Sequence, residues 1–156
     1  MSLFAAITLS LGFAGRVIPL SGLAATTSVG VGWLFTDQIE AGLRGEVGLV
    51  ADRVRDPSFA LALPVAAYFL WRARPEGLLQ LLLEADAGVA SLSSERIGGT
   101  LVGAAQGWAG VEVRAFEQVG VVLLAGAGAA FYPAPPQGES PVQAILGARA
   151  GVVFRF

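Results

Sequence analysis

Charge in this chain keeps to one side of a two-residue beat. Along eight segments between residue 3 and residue 156, apolar and polar positions alternate, and the apolar parity carries no charged side chain in any segment. A period of two places successive side chains on opposite faces of a β-strand, so each segment reads as a strand whose two faces meet different surroundings.

The apolar face runs through Leu3 to Phe13, Leu23 to Phe35, Ile39 to Leu49, Phe59 to Trp71, Leu79 to Val89, Leu101 to Val113 and Val119 to Phe131 on odd positions, then Val142 to Phe156 on even ones. The opposite face collects Glu40, Arg44, Glu46, Arg72, Glu84, Asp86, Glu112, Arg114, Arg149 and Arg155. Five acids against five arginines make that face neutral. Thr36 to Gln38, Arg74 to Gly77 and Ala115 to Gln118 read as short turns. A segment around Arg16, Pro19 and Gly22, the charged stretch Asp52 to Ser58, the polar stretch Ser91 to Gly99 and the Pro-rich Tyr132 to Pro141 read as longer loops.

A soluble sandwich also alternates, but it turns its apolar face inward and covers the other with charge. This chain cannot do so: 54% of its residues are hydrophobic and only 14% are charged, against about a quarter charged in an ordinary soluble domain. Its mean hydropathy is +0.67. The inverse arrangement, apolar outside and polar inside, is that of a transmembrane barrel. A helical membrane protein is the remote alternative. Residues 17–36 and 118–138 are free of charge, but the first contains Pro19, Thr26, Thr27 and Ser28, and the second ends in Pro133, Pro135 and Pro136. Residues 1–156 are therefore expected to form one domain, an all-β, eight-stranded antiparallel up-and-down transmembrane β-barrel.

Trp33, Phe35, Phe69, Trp71, Phe116, Phe154 and Phe156 cluster at the strand ends joined by the short turns, where an aromatic girdle and the periplasmic side are expected. Phe13, Phe59, Phe131 and Tyr132 fall nearer the other rim. The last residues, Val152-Val153-Phe154-Arg155-Phe156, resemble the C-terminal signal of outer-membrane barrels. Gly32 to Glu40 and Pro64 to Ala90 are similar to strand-turn-strand units of the small OmpA-like and OmpW-like barrels. The resemblance implies the bacterial outer membrane, contact with its lipid, and reading of Phe156 by the barrel assembly machinery. An export signal is then expected upstream. Residues 1–14 have a second reading as the apolar part of such a signal, but no basic residue precedes the run and its loss would leave seven strands.

The chemistry open to the chain is narrow. It has no Cys, His, Lys or Asn, so there is no imidazole base or ligand and no thiolate. Gly126-Ala127-Gly128 lacks the following helix of a dinucleotide site, and Asp52, Asp56 and Glu95 read as solvated loop charge rather than a Ca²⁺ site. No catalytic residue, cofactor or metal is expected, and a formal charge of −2 gives nucleic acid no basic surface. The function expected is that of a non-enzymatic scaffold. A narrow ion or small-solute channel and a loop-mediated binder are the alternatives, the latter weakened by loops of only about seven to ten residues. Ala85, Ala87, Gly103, Ala105, Gly107, Ala109, Ala125, Ala127 and Ala129 make one side of the apolar face smooth, a candidate interface for a partner membrane protein or a second copy.

Overall fold

The computed structural model describes residues 6–18, 22–52, 59–73, 78–94, 98–133 and 140–156. Eight strands follow one another: β1 Ala6–Ile18, β2 Gly22–Thr36, β3 Ile39–Asp52, β4 Phe59–Ala73, β5 Leu79–Ser94, β6 Gly98–Phe116, β7 Val119–Phe131 and β8 Val142–Arg155. Each pairs antiparallel with the next, and β8 returns to pair with β1, closing the barrel. No helix occurs among the described residues, so the helical alternative falls.

Closure fixes the geometry. Stepping from strand to strand along paired residues, Ile7 leads to Trp33, Ala41, Phe69, Ala85, Gly107, Ala127 and Leu146, and then to Val17, ten residues along β1 from the start. A stagger of that size over eight strands tilts them by about 40° to the barrel axis, given the usual rise and strand spacing. About ten residues of so tilted a strand cross an apolar band ~25 Å tall. All eight strands are longer than this, up to 19 residues in β6.

Two tight turns share one device. At residues 37–38 and 117–118 the ladder shifts register just before the turn, between Leu34 and Thr36 and between Arg114 and Phe116. In the first, Thr36 Oγ1 accepts hydrogen bonds from the Gln38 and Ile39 amides at 3.2 and 3.0 Å, closing the corner with a side chain.

The structure corrects several sequence boundaries. β1 runs to Ile18, so Arg16 is not a loop residue but a buried luminal one. Residues 1–5 lie outside the described residues, whereas 6–14 sit in the wall as part of β1, all paired with β2 and, from Thr8 on, with β8 as well. The stretch from Ser91 to Gly99 is mostly strand, since β5 reaches Ser94 and β6 begins at Gly98, and β3 extends to Asp52. Alternation weakens where a strand leaves the apolar band and both faces approach water, which is why strand ends read as loops. β1 and β2, and likewise β5 and β6, accordingly end and begin closer together in the chain than expected from sequence.

Closure also sets the expected solution behaviour. With no free edge from which to fray, the protein in detergent should give a β-type circular dichroism spectrum and keep a compact mobility in SDS until heated. A helical spectrum, or unfolding in SDS without heating, would contradict this architecture.

Candidate functional site: the luminal plug

The inward parity of the eight strands fills the barrel with three tiers of polar side chains. Nearest the longer connections, Arg16 of β1 grips Glu46 of β3 with two parallel bonds of 2.6 and 2.8 Å. Thr26 donates to Glu46 at 2.7 Å and accepts from Arg16 at 3.1 Å, and Arg16 Nε reaches Gln106 of β6 at 3.2 Å. The planar guanidinium suits this bidentate task.

In the middle tier one carboxylate is shared. Glu84 of β5 accepts from Arg44 of β3 at 2.7 and 3.1 Å and from Arg149 of β8 at 2.6 Å. Arg149 turns its other nitrogen to Asp86 at 3.1 Å, and Asp86 also accepts the indole N–H of Trp108 at 2.8 Å. The Arg149 guanidinium lies 4.3 Å from the centre of the Trp108 ring and that of Arg44 lies 4.6 Å from Tyr68, so each cation is backed by an aromatic face.

Nearest the short turns, Glu40 accepts from Thr8 at 2.8 Å, from the Tyr68 hydroxyl at 2.7 Å and from Arg72. Arg72 also reaches Glu112 at 3.4 Å, and Arg155 binds the other oxygen of the same carboxylate. Arg72 and Glu112 are 1% and 0% exposed. Buried charges persist only when paired and hydrogen-bonded, and in these tiers every carboxylate is held by at least one arginine.

Glycines make room for the two large inward aromatics. A Cβ at Gly126 or Gly147 would come within 2.5 or 2.9 Å of the Trp108 ring, and Gly126 is its cross-strand partner. Tyr68 lies in the same way over Gly42, its partner on β3. Apolar residues complete the filling: Leu70, Leu82, Val122, Leu124 and Val153 pack with Tyr68 and Trp108, while Val102, Ala130 and Ile145 form a second cluster against which Tyr132 and Ala104 pack.

Of the ten inward charges read from sequence, nine enter these ion pairs, and Arg114 lies half-buried beside them. Among the described residues the balance differs from the neutral five-to-five expectation, because Arg16 makes a sixth luminal arginine. Sequence reasoning also passed over Trp108, although its parity on β6 points inward and the register pairs it with a glycine.

On the outer face Trp33, Phe35, Phe69, Trp71, Phe116 and Phe156 are exposed at the short-turn rim and Phe154 is half-buried there. Phe13 and Phe131 are exposed nearer the other rim, Tyr132 is half-buried, and the side chain of Phe59 lies outside the described ones. The register joins the small residues into one patch: Ala85, Gly107 and Ala127 in one row, Ala87, Ala105 and Ala129 in the next, with Ala109 beside Ala125 and Gly103 at the end of its strand pairing.

Replacing Arg149 by Ala leaves Glu84 with one cation instead of two and breaks the closest arginine contact of Asp86. The expected loss is about 3 kcal/mol of folding free energy for a buried pair. Urea unfolding in detergent or liposomes measures it, and a loss within the scatter of surface substitutions would show that the middle tier does not hold the barrel.

Solved structures share this architecture. Neisserial surface protein A is similar over 97% of this chain and 96% of its own, with a TM-score of 0.65 at 13% identity. The N-terminal β-barrel domain of Pseudomonas aeruginosa OprF matches over 96% of this chain and 97% of its own, with a TM-score of 0.56 at 18% identity. No protein-family model and no curated protein matches the chain. The fold, eight antiparallel strands closed into a barrel, is that of the small outer-membrane β-barrels.

Proposed function

We propose that this protein is a non-enzymatic structural barrel of the bacterial outer membrane, with a lumen closed to bulk transport and a smooth wall that docks another envelope protein. The observation that carries the closed lumen is its filling: buried ion pairs in three tiers, with Trp108 and Leu82 only 3% and 1% exposed. An eight-stranded barrel has room for side chains and little else, and here those side chains are locked to one another. The same pairing argues against catalysis, since carboxylates held by arginines are poorly placed to exchange protons with a substrate.

The lipid-facing apolar wall and the girdle residues suit an outer-membrane site. Phe156, exposed at the short-turn rim, suits recognition by the barrel assembly machinery. In this reading the short turns face the periplasm.

The docking role rests on the outward glycines. A Cβ added at Gly107 would meet no atom within 4 Å, and at Gly103 the nearest is Phe131 at 3.8 Å. Nothing inside the barrel requires glycine there, although glycine costs a strand interior roughly 0.5–1 kcal/mol. Small residues on a lipid-facing wall let another backbone approach closely, and packing in lipid is driven by such contact.

Two measurements test the proposal. Planar bilayer recordings of the purified protein should show silence or small, rare conductances. Steady porin-like currents would refute the closed lumen. Leucine at Gly103, Gly107 and Ala127 should leave a folded monomer but abolish a complex crosslinked in native envelopes. A complex that survives the substitutions, or native extraction that yields monomer alone, removes the docking role.

A further inference from the structure

Three luminal arginines stand at one height around the short-turn mouth. The amide of Arg72 on β4 bonds to the carbonyl of Gln38, that of Arg114 on β6 to Leu78, and that of Arg155 on β8 to Gln118, the residues that immediately precede β3, β5 and β7. On alternate strands of one half of the barrel, the three side chains enter the same end of the lumen. Arg72 and Arg155 hold the two oxygens of one carboxylate, Glu112, and both act electrostatically on Arg114. Glu112 itself fits only because Gly120 leaves its place open, since a Cβ there would lie 2.2 Å from the carboxylate.

Among the described residues at this end, carboxylates are fewer than guanidinium groups. Arg72 Nη1, Arg114 Nε, and Arg155 Nε and Nη1 are buried and have no hydrogen-bond partner among the described residues. Buried guanidinium N–H groups left without an acceptor are costly. Among the described residues, two luminal carboxylates, Glu40 and Glu112, face three guanidinium groups. Glu40 is taken up by Thr8, Tyr68 and Arg72, and Glu112 by Arg72 and Arg155. Asp37 acts on Arg114 from an exposed turn, Glu117 is likewise exposed, and the buried amide of Gln80 lies cross-strand from Glu112. Exposed carboxylates in water screen the cluster but do not reach buried donors. A species that only accepts, and carries one negative charge, would answer both the surplus donors and the surplus positive charge.

We infer that the short-turn mouth of the lumen binds a small inorganic monoanion of chloride size between Arg72, Arg114 and Arg155. The site is independent of whether the barrel docks a partner. Chloride and bromide are the probes. In detergent at fixed pH and ionic strength, replacing sodium gluconate by sodium chloride should raise the thermal unfolding midpoint along a saturating curve, and Arg114→Gln should remove that rise. An equal midpoint in the two salts overturns the site, as does a rise that persists unchanged in Arg114→Gln. Should that variant fail to fold, bromide-soaked crystals of the unaltered protein decide. An anomalous peak within hydrogen-bond reach of Arg72 Nη1 and Arg155 Nη1 supports the site, and no peak there overturns it.

Discussion

A peptide group in hydrocarbon has no water to bond, so every N–H and C=O that crosses the apolar band needs a partner in the protein. That requirement forces the sheet to close, and the rest follows. Closure around eight strands with a ten-residue stagger sets the tilt and the narrow bore. The bore then decides what the inward parity must be: not a lining for water, but a packed interior with its own polar bookkeeping. A tube so narrow resembles a soluble core turned to a different purpose, with tyrosine, tryptophan and leucine wedged among ion pairs.

The interior is specified by pairs rather than by single residues. Trp108 is possible because Gly126 and Gly147 are small, Tyr68 because Gly42 is, and Glu112 because Gly120 is. Each large group is matched to a missing side chain on a strand the register brings beside it. Four of the chain's 21 glycines, which weaken a strand in isolation, thus become the complement of the bulky interior.

Strand number, order and facing were legible in the sequence because parity is a local property: Glu40, Arg44 and Glu46 announce the inside of β3 without reference to any other strand. Strand ends were not, since contrast between the faces fades beyond the apolar band, and Arg16 was lost to a loop for that reason. Partners inside the lumen were also beyond reach. Arg149 and Glu84 stand 65 positions apart, and Arg72 and Glu112 stand 40 apart. Only the closed register says which inward residues share a height. Trp108 shows the middle case: its direction was readable, but its role required knowing that two glycines from later strands lie beneath its ring.

The seam between β1 and β8, where the first and last strands meet, is the one ladder whose strands are not consecutive in the chain. Its two strands are nonetheless bolted from within. Arg149 and Arg155 fasten β8 to β5 and β6, and Arg16 and Thr8 fasten β1 to β3, with Arg16 reaching β6 as well. Parting the seam toward lipid would strip these cross-lumen bolts along with the backbone zipper, and would bare charges to hydrocarbon as it opened. The barrel is therefore latched against lateral opening, and its unzipping barrier belongs as much to the interior as to the wall.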